Sequence, residues 1–223
     1  KWIVNNLVKE TGIQESDFID ALKDSAALGL PEYAQGNPEG FLFPATYDIA
    51  PNATAASIVK DMVDKYNEVA TSVDLVNKAA ERKMTPQQII TIASLLQVEG
   101  HPRDFSKVSR VVYNRLAEPM RLQFDSTVHY IKGSRGKVFL STQSTLISSP
   151  YNTYRHYGLP PGPINNPGSE AMYAATHPEK GAWLYFITVA PGDTRFTDSL
   201  DEFNNWKVLY KKNLRAGKFR SSK

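Results

Sequence analysis

The sequence contains no cysteine and no long apolar run, and each absence excludes a class of protein. With no Cys among its 223 residues, the chain has no disulfides, no thiolate metal ligands and no cysteine nucleophile. No apolar stretch approaches the roughly 20 residues that span a bilayer. Because the chain begins with Lys1 rather than Met and has no signal-peptide pattern, we interpret it as an excised soluble portion of a longer protein.

Motifs for metals and common cofactors are also missing. The four histidines, His101, His129, His156 and His177, do not have metal-ligand spacing such as HExxH, and neither GxSxG nor a P-loop occurs. We therefore predict that the protein uses no metal and no cofactor.

The composition is that of an ordinary globular protein, but the charge is unevenly distributed along the chain. Hydrophobic residues make up 41% and charged residues 22%, which is typical of a folded chain with a real core. The net charge is +3, yet the tail from Lys207 to Lys223 carries seven Lys or Arg and no acid, so the rest of the chain is net negative. A basic tail either binds nucleic acid or anionic lipid, or is simply a solvated helix end, and we favour the second interpretation. The body has no nucleic-acid-binding signature.

Hydrophobic periodicity predicts an α+β fold in one main domain with a small helical piece in front. Two short helices are predicted near the N-terminus, with Trp2, Leu7, Phe18, Ile19 and Leu22 facing inward. A loop with a short strand follows over residues 31–52, and then a long helix over 54–82 with inward Ile58, Met62, Tyr66, Val69, Val73 and Val76. After two more helices, residues 148–168 are rich in Pro, Gly and Asn, 183–199 predict a β-hairpin, and 200–214 predict a closing helix.

One of the central helices ends in an isolated acid. Thr85, Pro86 and Gln88 form a strong helix start, and Gly100 and Pro102 end the helix. Its apolar residues, Ile89, Ile90, Ile92, Ala93, Leu95, Leu96 and Val98, go almost all the way round, which predicts burial on most sides.

Glu99 is the acid in the last turn of that helix. The negative end of the helix dipole and partial desolvation would both raise its pKa, as a general acid requires. A solvated helix end is the other interpretation of the same residue, and this helix alone does not decide between them. Asp104 is predicted to cap the next helix, in which Phe105, Val108, Val112 and Leu116 form the inner stripe.

Several longer motifs resemble the endolytic murein transglycosylases, the MltG/YceG-like family. In chain order they are PEGFLFPATY (38–47), ASLLQVEG (93–100), VVYNRL (111–116), MRLQFDSTV (120–128), YNTY (151–154), GLPPGPINNPG (158–168) and HPEKGAWLYF (177–186). The resemblance implies a membrane-anchored enzyme that cuts peptidoglycan between N-acetylmuramic acid and N-acetylglucosamine and leaves 1,6-anhydro ends. It implies that Glu99 is the catalytic acid; many relatives have a second Glu two positions earlier, where this chain has Gln97.

The resemblance also implies an organisation for the whole protein. Residues 1–38 would be the C-terminal part of a LysM-like accessory subdomain, 39–212 the catalytic domain, and 213–223 a basic tail. The full-length protein would have a single membrane-spanning anchor, absent here, with the catalytic domain on the extracytoplasmic side. Its expected partners are glycan strands and membrane-bound peptidoglycan synthases, with no nucleic acid.

Polar and aromatic residues in the same motifs are candidates for sugar binding. They are Asn114, Gln123, Asp125, Tyr151, Asn152 and Tyr154, because amides bind hydroxyl and N-acetyl groups and aromatic rings cover sugar faces. For several of them a purely structural role is open: Asn114 and Arg115 could cap a helix, and the tyrosines could pack a loop on the core. The four prolines of 158–168 suggest a rigid cleft wall.

The role of Asp125 distinguishes a hydrolase from a lytic transglycosylase. A hydrolase needs two carboxylates about 5–9 Å apart, whereas a lytic transglycosylase needs one. The resemblance favours one catalytic acid, with Asp125 orienting a polar group or the substrate. A two-carboxylate muramidase and a non-catalytic wall-binding module remain the alternatives.

Overall fold

The computed structural model describes residues 2–134 and 140–219, and its architecture confirms the predicted α+β class. In this part of the chain there are nine α-helices, three short 3-10 helices at Glu32–Ala34, Pro102–Asp104 and Thr142–Leu146, and one two-stranded sheet. The α-helices are α1 Trp2–Thr11, α2 Glu15–Lys23, α3 Ala55–Ser72, α4 Leu75–Glu81, α5 Pro86–Glu99, α6 Phe105–Ala117, α7 Asp125–Ile131, α8 Ser169–Thr176 and α9 Leu200–Arg215. The strands are β1 Tyr185–Ala190 and β2 Asp193–Thr197.

Within the described residues, no helix combines the length and the apolar character that crossing a membrane requires.

The chain divides into two compact units. The first comprises residues 1–94 and 162–176, and the second comprises residues 95–161 and 177–223. The division falls inside α5, so this one helix contributes to both units. Because compact units and functional subdomains are different properties, the boundaries at 38 and 212 stay predictions.

In the first unit, α2 packs on α3 and α1 packs on α2, around an apolar core. Phe18 is fully buried there, and Leu7 and Leu22 pack against the same cluster, as predicted. The prediction for Trp2 and Ile19 was wrong, since both are exposed. Short amphipathic helices have few turns in which to define a stripe, so the edge of the buried face is poorly determined by periodicity.

The helix predicted over residues 54–82 is two helices. A capping box starts α3, in which the Ser57 backbone N–H donates to Thr54 Oγ1 and the Thr54 N–H donates to Ser57 Oγ. The break follows at Asp74, whose φ of +52° is left-handed and cannot continue a helix. Val76, predicted to face inward, is exposed because the break changes the phase of the apolar stripe.

The loop of residues 31–52 contains a 3-10 helix, and the predicted short strand is absent from it. Its position is set by the proline-rich segment of the same unit. Asn166 Oδ1 accepts hydrogen bonds from the backbone N–H groups of Gly40 (2.8 Å) and Leu42 (3.0 Å). Gly40 has φ +96°, and a Cβ there would lie 2.5 Å from Pro163 Cγ, so only glycine fits.

The start of α5 is as predicted. The Thr85 N–H donates to Gln88 Oε1 (2.8 Å) and the Gln88 N–H donates to Thr85 Oγ1 (3.2 Å), which completes a capping box. The predicted apolar residues of this helix are buried except Val98, which is exposed. The helix ends at Glu99, before Gly100.

The second unit begins with the end of α5 and continues into α6. Asp104 precedes α6, but its side chain makes no capping hydrogen bond, so that prediction was wrong; a preceding 3-10 turn occupies the position instead. The predicted stripe is buried at Phe105, Val108 and Val112, and Leu116 is partly buried.

The predicted hairpin and closing helix are both confirmed in this unit. Strands β1 and β2 pair antiparallel, with Phe186 opposite Phe196, and α9 packs on β1. The buried Asn213 side chain fastens α9 to the sheet by donating to the Val189 carbonyl (2.7 Å).

Candidate active site

Glu99 is the last residue of α5 and lies half-buried in the second unit. Its Oε1 accepts a hydrogen bond from the backbone N–H of Ser126 (3.2 Å), the second residue of α7. The acid at the end of an apolar helix is therefore held against another element, and the carboxyl has one fixed donor.

Burial raises the pKa of Glu99 above that of an ordinary glutamate, which confirms the predicted direction. The hydroxyl and the N–H of Ser126 act in the opposite direction, the charge of Asp125 raises the pKa further, and the charge of Arg115 lowers it. Desolvation is the largest of these effects, so the protonated form persists to a higher pH than in water.

A network of threonines places the start of α7 beside the YNTY segment. Thr153 Oγ1 accepts from the backbone N–H of Phe124 (2.9 Å) and lies 3.0 Å from Thr127 Oγ1, and the Thr153 carbonyl accepts from the Gln123 N–H (3.1 Å). Both threonine side chains are buried. The network joins two segments that are 26 residues apart and brings their polar residues to one place.

Gln123 turns the chain just before α7. Its φ of +53° is unusual for a residue other than glycine, and its side chain is exposed between the buried Leu122 and Phe124. The left-handed turn is held by the Gln123 N–H bond to Thr153 and by the Leu122 carbonyl, which accepts from Arg115.

Asp125 and Tyr154 form a hydrogen-bonded pair between the start of α7 and the YNTY segment. The Tyr154 hydroxyl donates a short hydrogen bond to Asp125 Oδ1. Burial raises the pKa of Tyr154, and the hydrogen bond and charge of Asp125, with the charge of Glu99, raise it further. The phenol therefore stays protonated and keeps the Asp125 carboxylate oriented.

Arg115 is a buried cation that lies close enough to Glu99 for their charges to interact. Its Nε donates to the Leu184 carbonyl and its Nη1 to the Leu122 carbonyl, both at 2.6 Å. Burial lowers its pKa, and Tyr185, Tyr154 and Glu99 raise it. Sequence reasoning offered helix capping for this residue and did not predict a place beside the acid.

The other candidates have structural contacts of their own. Asn114 donates through Nδ2 to the carbonyls of Gly181 (3.2 Å) and Trp183 (2.9 Å). Asn152 is fully buried, and its Nδ2 donates to the carbonyls of Thr145 (3.0 Å) and Ile147 (2.7 Å) while its Oδ1 accepts from the Tyr154 N–H.

Tyr151 is half-buried, with its ring 5.0 Å from that of Tyr130. The structure therefore groups Glu99, Asp125 and Tyr154, while the amide donors of Asn114 and Asn152 are engaged with backbone carbonyls. Of the predicted rigid segment, residues 158–161 belong to this unit and 162–168 to the other.

Among the residues that the structure describes, no three His, Asp or Glu side chains are grouped as ligands of a metal ion would be. The site itself offers a carboxyl with a raised pKa, a second carboxylate held by a phenol, and a buried guanidinium.

Comparison with known proteins identifies relatives over most of the chain. The profile of the YceG-like family matches residues 1–208. An endolytic murein transglycosylase of Bacillus subtilis is 38% identical over 174 residues, which cover 77% of this chain and 48% of that protein. One of Streptococcus pneumoniae is 31% identical and covers 74% of this chain and 30% of that protein. The chain thus spans about half the length of the Bacillus relative, or less for the pneumococcal one.

A solved structure agrees with these relatives. The crystal structure of a YceG-like protein from Listeria monocytogenes has a TM-score of 0.78 and 30% identity, covering 92% of this chain and 71% of that one. With a family profile that matches nearly the whole sequence and a solved relative of the same fold, the chain belongs to the YceG-like family.

Proposed function

We propose that this chain is the catalytic part of an endolytic lytic transglycosylase that cleaves the MurNAc-β-1,4-GlcNAc bond of peptidoglycan and leaves 1,6-anhydro-MurNAc ends. The observation that carries the proposal is Glu99, a half-buried carboxyl with a raised pKa, fixed by the Ser126 N–H at the end of α5. The names of the Bacillus and Streptococcus relatives support the same activity.

Glu99 serves first as acid and then as base. As the bond between the sugars breaks, protonated Glu99 delivers its proton to the departing GlcNAc oxygen. The resulting carboxylate takes the proton from the muramyl C6 hydroxyl, whose oxygen bonds to C1 of the same sugar. The proton gained replaces the proton given, so Glu99 ends the cycle as it began and no water is consumed.

The residues around Glu99 suit a carboxyl that must change its charge during the cycle. The carboxylate between the two steps is stabilised by the charge of Arg115 and by the Ser126 N–H, whereas burial favours the protonated form that starts the reaction. Because the nucleophile is part of the substrate, it has an effective concentration that can be worth about 7–11 kcal/mol in well-oriented cases.

For substrate binding we propose two tiers of residues. Gln123, Asp125 and Tyr154, together with Tyr151, are exposed or half-exposed and would contact sugar hydroxyl groups, N-acetyl groups and ring faces. Asn114 and Asn152 would act through the backbone segments that they hold.

Two other functions use the same fold. In a muramidase, water would attack C1 with Asp125 as the second carboxylate; the Tyr154 hydroxyl on Asp125 favours an orienting role instead. In a non-catalytic wall-binding module, Glu99 would be dispensable.

The experiment is a product analysis of purified peptidoglycan by mass spectrometry with wild type, Glu99→Gln and Asp125→Asn. The wild-type protein should yield anhydro ends, which are lighter by one water than reducing ends. Glu99→Gln should lose at least about 10²–10⁴-fold in cleavage, because an amide neither gives nor takes the proton. Asp125→Asn should retain measurable activity and the anhydro product.

Three results would each contradict one part of the proposal. Cleavage by Glu99→Gln would place the acid elsewhere, reducing muramyl ends would make the protein a hydrolase, and binding of glycan without any product would make it a binding module. Circular dichroism of each variant provides the folding control.

We also propose where the full-length protein is located and which proteins it acts beside. The full-length protein would be anchored in the cell membrane by a single span, with the catalytic part outside the cytoplasm, and would act on nascent strands beside membrane-bound synthases. The LysM-like identity of residues 1–38 belongs to the same proposal.

A further inference from the structure

Both the backbone and the side chain of Ser126 act on Glu99. The backbone N–H donates to Glu99 Oε1 at 3.2 Å, as the second residue of α7. The hydroxyl Oγ is buried and has no hydrogen-bond partner among the described residues, although it is near enough to the carboxyl to lower the Glu99 pKa. A buried hydroxyl without a partner costs free energy, so its presence beside a reactive group requires a reason.

The two donors of Ser126 differ in what they can do for the carboxyl. A backbone N–H only donates, so it stabilises the carboxylate and has nothing to offer the proton of the acid form. A hydroxyl rotates, so it can donate to the carboxylate and accept from the protonated acid. In the proposed cycle Glu99 passes through both forms without leaving its site.

The other groups acting on Glu99 do not have this property. Asp125 on α7 is an anion that raises the Glu99 pKa, and Arg115 on α6 is a cation that lowers it. Tyr154 also interacts with the charge of Glu99, but its hydroxyl proton is committed to Asp125. Among the groups of the described residues that act on Glu99, Ser126 therefore supplies a neutral hydroxyl that is not committed to another partner.

We infer that Ser126 is a positioning residue for the acid: its N–H fixes the Glu99 carboxyl, and its hydroxyl rotates to hydrogen-bond whichever protonation state the reaction has reached. The inference rests on the proposed function, because it assigns to Glu99 the acid and base steps. The signal in the sequence is only a serine after Asp125, which is indistinguishable from an ordinary first-turn helix residue.

The test uses the pH profile of kcat/KM, because a merely structural serine would leave it in place. Glu99 must be protonated to begin the reaction, so activity falls as pH rises through its pKa. The Ser126 side chain lowers the Glu99 pKa on balance, so its donation to the carboxylate outweighs its acceptance from the acid, and Ser126→Ala should move this alkaline limb to higher pH. Ser126→Ala also prevents the hydrogen bond that the inference assigns to the hydroxyl when Glu99 is ionised, which should lower kcat by about 10–100-fold.

Two further variants separate a positioning role from a packing role. Ser126→Thr keeps the hydroxyl and should retain the wild-type limb. Ser109→Ala removes a second buried, unpartnered hydroxyl among the described residues of the same unit, on α6, and should leave the limb and kcat unchanged. If Ser126→Ala does not fold, Ser126→Cys takes its place: a thiol is a weaker hydrogen-bond donor than a hydroxyl, so this limb should also move to higher pH, and an unmoved limb contradicts the inference. A threonine limb displaced from wild type contradicts it as well.

The outcomes distinguish this inference from the proposed function. An unmoved limb in Ser126→Ala, with Glu99→Gln inactive, overturns the role of Ser126 and leaves the acid in place. Cleavage by Glu99→Gln overturns the proposed function itself. If no variant cleaves glycan, an NMR titration of the Glu99 side-chain carboxyl still measures the coupling, and an identical titration in wild type and Ser126→Ala contradicts it.

Discussion

For the single residue Glu99, burial would set the proposed activity against stability. A carboxyl that must be desolvated to hold its proton destabilises the fold whenever it ionises. The Ser126 N–H and Arg115 offset part of that cost, and burial remains the largest effect on the Glu99 pKa.

The consequence is a prediction about stability and pH. Because the pKa of Glu99 is raised in the folded state, its contribution to stability is present at acid pH and is lost as pH rises through the folded pKa. Glu99→Gln removes the ionisation. The Tm of the variant minus the Tm of wild type should therefore be larger at pH 8 than at pH 4. Thermal unfolding at the two pH values measures this.

The matched control is Glu118→Gln, which changes an exposed glutamate of the same unit and should alter Tm little at either pH. A Tm difference between Glu99→Gln and wild type that stays constant from pH 4 to pH 8 would show that the Glu99 carboxyl is not destabilised by ionising.

At the scale of the element, Arg115 connects three segments of the second unit. It lies on α6 and bonds the carbonyls of Leu122, before α7, and of Leu184, before β1. These segments provide Gln123 and Asp125, so the geometry around the acid depends on one buried side chain.

We therefore expect Arg115→Met to lower the free energy of unfolding by about 2–4 kcal/mol, since it leaves two carbonyls without donors in a buried region. Urea denaturation measures the change. Arg155→Met is the matched control: Arg155 is exposed and donates to the Leu146 carbonyl, so its loss should cost no more than about 1 kcal/mol. Equal losses in the two variants would contradict a special role for Arg115.

Across the whole molecule, the excess of positive charge is concentrated in the C-terminal helix and tail. Residues 207–215 of the basic segment lie in α9, whose Lys207, Lys211, Lys212 and Arg215 are exposed, and residues 220–223 lie outside the described part. Cations at a helix C-terminus are favourable to the helix itself, so this segment requires no anionic partner.

The prediction is that the protein binds unrelated duplex DNA only weakly, with a Kd no tighter than about 10⁻⁴–10⁻⁶ M at physiological salt. A salt titration followed by fluorescence anisotropy measures this. Lys211→Gln combined with Lys212→Gln should leave peptidoglycan cleavage unchanged. Tight DNA binding at 0.15 M salt that this double variant abolishes would support the nucleic-acid alternative.

The sequence predicted most strongly where local rules act without competition. The capping residues Thr85 and Gln88 and the Gly100 stop predicted α5, and the largely apolar run of residues 183–190 before a Pro-Gly turn predicted the hairpin, because caps, runs and turns depend on neighbours a few residues away. The same local rules predicted one helix over residues 54–82 and an inward Trp2, and both were wrong, since a left-handed residue and the shape of the core decide such details.

The site divides in the same way. Local patterns indicate that an apolar helix ends in one acid, Glu99, and the family motifs point to the same residue. Folding is what brings Ser126 and Arg115 to that acid, directs the Tyr154 hydroxyl to Asp125, and engages the Asn152 amide with backbone carbonyls. The pKa of Glu99, for example, depends on groups 16–27 residues away in the chain, and no local pattern records which of them folding brings together.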